Sequence, residues 1–219
     1  MTDAAFAKPP RLAMLEDPPG DDDGEPIECV DGWIEITEQA LDNRVISDPE
    51  AEVIEFTGAL LRGCRVIVPR TTTIRASRTT FVNCDLSQVP FKTVEHCRFV
   101  GCKMTGSSFG FELRDCEFSE CTLKVASLAS CLVERVMFAN CELSDVDAQT
   151  ARLGDIDFPE SRLSDVSLHH TTCERIDLRS AAALGFTNVS TLAGCRVSNH
   201  QLYELAPLLA AVVGLDVAE

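Results

Sequence analysis

A large apolar residue returns about every twenty positions along most of this chain, at Leu61, Phe81, Phe99, Phe118, Phe138, Phe158, Leu178 and Val197. Two positions before each stands a small or branched residue: Ala59, Thr79, Cys97, Cys116, Val136, Ile156, Ile176 and Cys195. Within each interval the same small-x-large step recurs every five residues, and the next column reads Cys64/Val66, Cys84/Leu86, Cys102/Met104, Cys121/Leu123, Cys141/Leu143, Ser161/Leu163 and Ala181/Ala183. A period of five fits neither an amphipathic helix, which repeats every 3.6 residues, nor a flat strand, which repeats every two. Four five-residue sides close one square coil, and the return near twenty stacks each side on its predecessor. The pattern predicts an all-β solenoid. If neighbouring coils pair as strands do, at about 4.8 Å each, the seven intervals make a rod about 34 Å long.

Taken in order, residues 1–26 are rich in Pro, Asp and Gly and read as a disordered acidic tail. Residues 27–52 read as an irregular N-terminal cap, with Ile34 and Ile36 alternating as in a strand and Ala40-Leu41 suiting a short helical turn. Regular coils are expected over 53–197, with short slips near Lys92–His96 and Phe111–Arg114. Residues 198–219 read as a C-terminal helical cap and dimerisation segment. Ser198 and Gln201 have the spacing of a capping box, Pro207 suits the start of a second helix, and Gly214 suits its left-handed cap. Leu202, Leu205, Leu208, Leu209 and Val212 carry more apolar surface than one coil end can cover, so these residues are expected at a homodimer interface.

The chain has 219 residues and a formal net charge of −16. Residues 1–50 hold 14 acids and 3 bases, whereas residues 51–219 hold 21 acids and 16 bases. Direct nucleic-acid binding needs clustered Lys and Arg, so this balance argues against it. No apolar run reaches the length of a membrane span, and the start lacks the pattern of a secretion signal, so a cytoplasmic location is expected. Nine of the eleven cysteines fall on the small inward position, where a thiol acts as a small packing group. Five-residue spacing spreads these thiols over adjacent walls, and no metal or cofactor is expected. The acid pairs Asp145/Asp147 and Asp155/Asp157 lie at outward repeat positions without a cleft, and no phosphate loop or hydrolase motif accompanies them, so no enzyme is expected. On the fourth side Asp115, Arg135, Asp155 and Arg175 alternate in sign, a structural pattern. The corner of the first two sides is instead acidic, with Glu117, Glu120, Glu142, Asp145, Asp157, Glu160, Asp165 and Asp177 forming a candidate partner-binding strip.

The units CDLSQ (84–88), CRFVG (97–101), CEFSE (116–120), CELSD (141–145), ARLGD (151–155) and SRLSD (161–165) resemble the pentapeptide-repeat proteins, over roughly residues 53–197. The resemblance implies a right-handed quadrilateral β-helix, here with a short C-terminal helical cap. One solenoid carries many unrelated surfaces, so the function expected is a non-enzymatic protein-binding scaffold. The fluoroquinolone-resistance branch of this family adds a more specific alternative. Its acidic dimeric rods look like duplex DNA and bind type II topoisomerase, which implies a DNA mimic whose partner is DNA gyrase and which modulates its activity or quinolone sensitivity. This chain departs from that branch in the low net charge of its repeat region and in lacking a large projecting loop.

Overall fold

The computed structural model describes residues 7–12, 27, 29–189 and 192–216. The strand ladders form a right-handed, four-sided β-helix in which each strand pairs in parallel with the equivalent strand one coil away. Side one carries the large apolar column, with Leu41 beside Leu61, Leu61 beside Phe81, Phe81 beside Phe99, and Phe99 beside Phe118. Phe81, Phe99, Phe118, Phe138 and Phe158 stack face to face, with centroids 4.6–5.3 Å apart. Phe91 and Phe109 form a second stack on side three and meet the first edge-on at 6.0–6.3 Å. Offset and edge-on aromatic pairs add to the burial term, so this column contributes to cohesion along the axis beyond the main-chain ladders.

The inward cysteines do more than fill space. Each thiol of the side-two column donates to a main-chain carbonyl of the coil before it: Cys64 to Leu41, Cys84 to Leu61, Cys102 to Phe81, Cys121 to Phe99 and Cys141 to Phe118, at 3.3–3.4 Å. Where serine replaces cysteine, the Ser161 hydroxyl donates to the Phe138 carbonyl at 2.9 Å. From Cys64 to Ser161 the column thus supplies a small group with one hydrogen-bond donor; Ala181, in the last coil, keeps only the small size. Burial pushes the Cys131 thiol up to about 12 and raises that of Cys116 well above its ordinary value. Within the column the neighbouring thiols, that of Cys102 foremost, draw Cys84 and Cys121 down.

Corners are turned by residues in the left-handed region. One corner column runs through His96, Asp115, Arg135, Asp155 and Arg175 at φ 51–55°, and another through Glu120, Asn140 and Glu160 at φ 52–56°. Glycine takes some of these places for a specific reason: a Cβ on Gly101 would stand 2.3 Å from the Asn83 side-chain oxygen of the coil below. The corner between sides three and four widens along the rod. From the inward residue of side three to that of side four the step is two residues at Ile74/Ala76, three at Phe91/Val94, four at Phe109/Leu113 and five at Leu128/Val133. The pairing registers shift at the same places, between Ile74 and Arg75 and between Phe109 and Glu112. These shifts account for both short coils.

Three expectations are corrected. Regular coils begin at Trp33, not at 53: Trp33–Thr37, Ala40–Asp42 and Val45–Ser47 pair with the strands twenty residues later, so 27–52 is largely a full coil and Ala40-Leu41 is strand. The C-terminal segment is one helix, α1 (Asn199–Val212), with Pro207 inside it. Its capping box is formed by Ser198 and Gln201. Its end is a Schellman turn in which Leu215 N–H donates to the Ala210 carbonyl around Gly214. Lastly, residues 7–12 of the expected tail lie against the rod, and Ala7 is buried. The other residues of 1–26 lie outside the described residues. No helix among the described residues is long and apolar enough to cross a membrane.

Candidate protein-interaction face

The eight acids of the strip divide into two groups. Glu120, Glu142, Asp145, Glu160 and Asp165 are exposed. Four of these, Glu120, Asp145, Glu160 and Asp165, occupy left-handed corners, where the backbone swings the side chain outward. None of those four forms an ion pair with another described residue, while Glu142 accepts from Lys124 Nζ at 3.0 Å. Together they rim side two, whose strands Thr122–Lys124, Glu142–Ser144 and Arg162–Ser164 stack in register.

The remaining three are held down on side one. Glu117 lies 3.7 Å from Arg98 Nε and accepts from the Ser119 hydroxyl. Asp157 accepts from the Phe158 amide and the Ser180 hydroxyl. Asp177 is buried and bonded to Arg179, whose guanidinium holds its carboxyl below the usual carboxylate range. The exposed acidic surface is therefore side two with its two corners, narrower than the strip read from the sequence.

The other acids do not converge on a reaction centre. Asp147 accepts from the Gln149 amide at 2.9 Å, within its own turn. Asp155 is fully buried against Arg175. His169 and His170 are tilted rings 3.9 Å apart. No cluster of three or more His, Cys, Asp or Glu side chains suited to a metal is found among the described residues.

On the corner of sides four and one, Arg135 grips Asp115 through Nε and an Nη at 2.7 and 2.8 Å, and Arg175 grips Asp155 in the same way at 2.6 and 2.7 Å. The alternating column read from the sequence is thus two fork-to-carboxylate pairs. What the sequence reading missed is the second partner of each carboxylate. Asp115 Oδ1 accepts the Arg11 amide at 2.9 Å, and Asp155 Oδ1 accepts the Lys8 amide at 3.1 Å. Burial alone would raise Asp115, but the guanidinium and the amide outweigh it and leave its carboxyl below the ordinary value. At Asp155 the Arg175 bond is the larger influence and lowers it as well.

A family model described as the pentapeptide repeat region matches residues 92–168. Residues 92–168 are thus a pentapeptide-repeat region. The match spans coils in which the stacked phenylalanines and the cysteine column are both present. Among solved structures, the repeat protein is similar to full-length QnrB1, described as a plasmid-mediated fluoroquinolone resistance protein, with 18% identity, coverage of 81% of this chain and 99% of that one, and a TM-score of 0.54. A trypsin-treated variant of QnrB1 gives 19% identity, 84% and 92% coverage, and a TM-score of 0.40. HetL, a pentapeptide repeat protein involved in heterocyst differentiation regulation from the cyanobacterium Nostoc sp. strain PCC 7120, gives 15% identity, 74% and 86% coverage, and a TM-score of 0.20. The likeness to full-length QnrB1, at 18% identity, shows the fold alone. No curated protein sequence matches the chain.

In the repeat protein, α1 closes the last coil. Leu205 is buried, Leu208 packs against the core, and the Gln201 side-chain amide donates to the Leu178 carbonyl at 2.7 Å, satisfying the open edge. Leu209 is half-buried, whereas Leu202 and Val212 are exposed. Of the five residues expected at a dimer interface, Leu205 and Leu208 are thus engaged by their own rod, and Leu202 and Val212 lie on the outer face together with Tyr203, Val213 and Leu215.

Proposed function

We propose that this pentapeptide-repeat protein is a non-enzymatic scaffold that binds a basic protein surface through side two. The observation that carries the reading is the set of four corner carboxylates, Glu120, Asp145, Glu160 and Asp165, exposed and without ion pairs to other described residues. Coil stacking fixes their spacing: Glu120 and Glu160 are two coils apart, about 10 Å. A rigid row of unneutralised acids suits steering of a basic partner, an attraction that fades as the Debye length drops from about 10 Å at 0.1 M salt to about 3 Å at 1 M. The test is affinity capture from extract with the wild type and with Glu120→Gln/Asp145→Asn/Glu160→Gln/Asp165→Asn. Proteins held by the wild type, lost by the variant and released by 1 M salt are expected; identical captured sets would count against the reading.

A second reading makes the basic partner a type II topoisomerase such as DNA gyrase, with side two standing in for a phosphate backbone. The acidity of side two and the family resemblance favour it. Charge density weakens it: with Lys124 and Arg162 on the same side, three net charges span about 10 Å, roughly half the density of duplex DNA at one per 1.7 Å. A supercoiling assay with and without the protein separates the two readings, since only the mimic inhibits or modulates the enzyme. Pairing of two rods through the outer face of α1 is proposed alongside, with Leu202, Leu209 and Val212 as contacts. Light scattering at micromolar concentration should then give twice the chain mass, and the mass of one chain would exclude it.

A further inference from the structure

We propose that the corner column of Asp115 and Asp155 is a docking site for an extended, basic Pro-Pro peptide, and that residues 7–12 are its resident, exchangeable occupant. The site lies apart from side two and its acids.

The geometry of the occupant matches the coil repeat. Asp115 and Asp155 are two coils apart, about 9.6 Å along the rod. Lys8 and Arg11, whose amides they accept, are three residues apart, which in a polyproline II chain spans about 9.3 Å. Between them stand Pro9 and Pro10, whose rings favour that conformation and which have no N–H to leave unsatisfied. The segment runs from the later coil toward the earlier one, and beyond Asp115 the Arg11 carbonyl meets His96 Nδ1 at 2.8 Å, one coil further down. The main chain is therefore read at three successive points, Lys8 N–H, Arg11 N–H and Arg11 C=O.

The acceptors are held by groups other than the peptide. Each carboxylate is clamped by the guanidinium one coil above it, so its Oδ1 stays in place without the arm. Their side chains are 3% and 0% exposed under the docked segment. Side-chain selectivity comes from Ala7, which is buried, and from Lys8, whose Nζ lies 4.0 Å from Asp155 Oδ2. An extended segment with a small residue, a base, two prolines and a second amide donor fits every one of these contacts. Among the described residues, three main-chain hydrogen bonds, the Lys8 contact and the buried Ala7 hold the arm, which makes it a tethered competitor for a segment of the same chemistry arriving from another protein.

The probe is a fluorescent peptide with the sequence of residues 6–13, titrated by anisotropy into two full-length proteins. In the wild type the arm competes at an effective concentration in the millimolar range. In Lys8→Pro/Arg11→Pro the arm has lost both donors and leaves the column open. The expected result is at least a tenfold lower Kd for the variant than for the wild type, and at least a tenfold loss when the peptide is N-methylated at the positions of Lys8 and Arg11. Equal Kd values for the two proteins, or full binding of the N-methylated peptide, would overturn the proposal. Should the variant fail to fold, hydrogen exchange on the wild type decides instead: saturating peptide should speed exchange of the Arg11 amide, and an unchanged rate would overturn the proposal equally.

Discussion

At the scale of single residues, the fold rests on two kinds of position with opposite sensitivities. Inward phenylalanines are packed on every side, so Phe138→Ala should cost about 3–5 kcal/mol, the usual range for a buried aromatic truncated to alanine. Many corner residues are exposed yet confined to φ near +55°, where a β-branched side chain is strained. Val125 holds such a corner at φ 55°, 63% exposed, between Gly106 and Asp145 of the same column. Its amide bonds to the Ser144 carbonyl whatever side chain it carries. Val125→Asn should therefore stabilise the protein by about 0.5–1 kcal/mol, because asparagine tolerates the left-handed region better. Melting curves of both variants check this contrast; a destabilised Val125→Asn or an unchanged Phe138→Ala would contradict it. The ladder was legible in the sequence because a period of five has no competing interpretation. The thiol donors were not, since small size and S–H chemistry predict the same residue at the same place.

At the scale of elements, the misread segments share one cause: a local rule was overruled by what the segment docks against. Pro207 suggested a break, yet Gln201, Leu205 and Leu208 all face the same coil end, and a continuous helix buries the first two and packs the third against the core. The carbonyl that Pro207 leaves without an N–H partner belongs to Tyr203, 80% exposed and open to water. The coil at Trp33–Ser47 was hidden because its sides three and four are joined by only two residues, although Ile34, Ile36, Leu41 and Ile46 already carry the twenty-residue return. In the arm, two prolines between Lys8 and Arg11 stand out in an acidic stretch, but their partners lie more than a hundred residues away and only the coil stacking brings them together. The acceptors make a pH prediction. Asp115 and Asp155 are depressed in the native state, so the folded protein binds fewer protons there than the unfolded chain. Their contribution is fully present above the unfolded value of about 3.9 and is lost as pH falls through the native values. The melting temperature should fall with acid in that window, and Asp115→Asn/Asp155→Asn should show a shallower slope. Parallel slopes would contradict the assignment.

At the scale of the whole molecule, one rigid rod presents two chemically distinct surfaces. Side two carries exposed carboxylates, four of them without ion pairs to other described residues, and the corner of sides four and one carries buried carboxylates paired with arginine and bonded to main-chain amides. Charge on the first is exposed and its effect salt-dependent; on the second it is buried and tied to arginine, so salt should affect it much less. The sequence showed the acidity but placed Glu117, Asp157 and Asp177 on the open strip, because a column assignment fixes which way a residue points and says nothing of what lies beside it. Arg98, Ser180 and Arg179 supply those neighbours. Binding through side two is the central claim, and a titration of one captured partner into three full-length proteins at 0.1 M salt tests it most directly. The proteins are the wild type, Glu120→Gln/Asp145→Asn/Glu160→Gln/Asp165→Asn, and Lys8→Pro/Arg11→Pro. The account predicts at least a tenfold weaker Kd for the first variant with an unchanged melting temperature, and an unchanged Kd for the second. Wild-type affinity in the side-two variant together with lost affinity in the arm variant would contradict it.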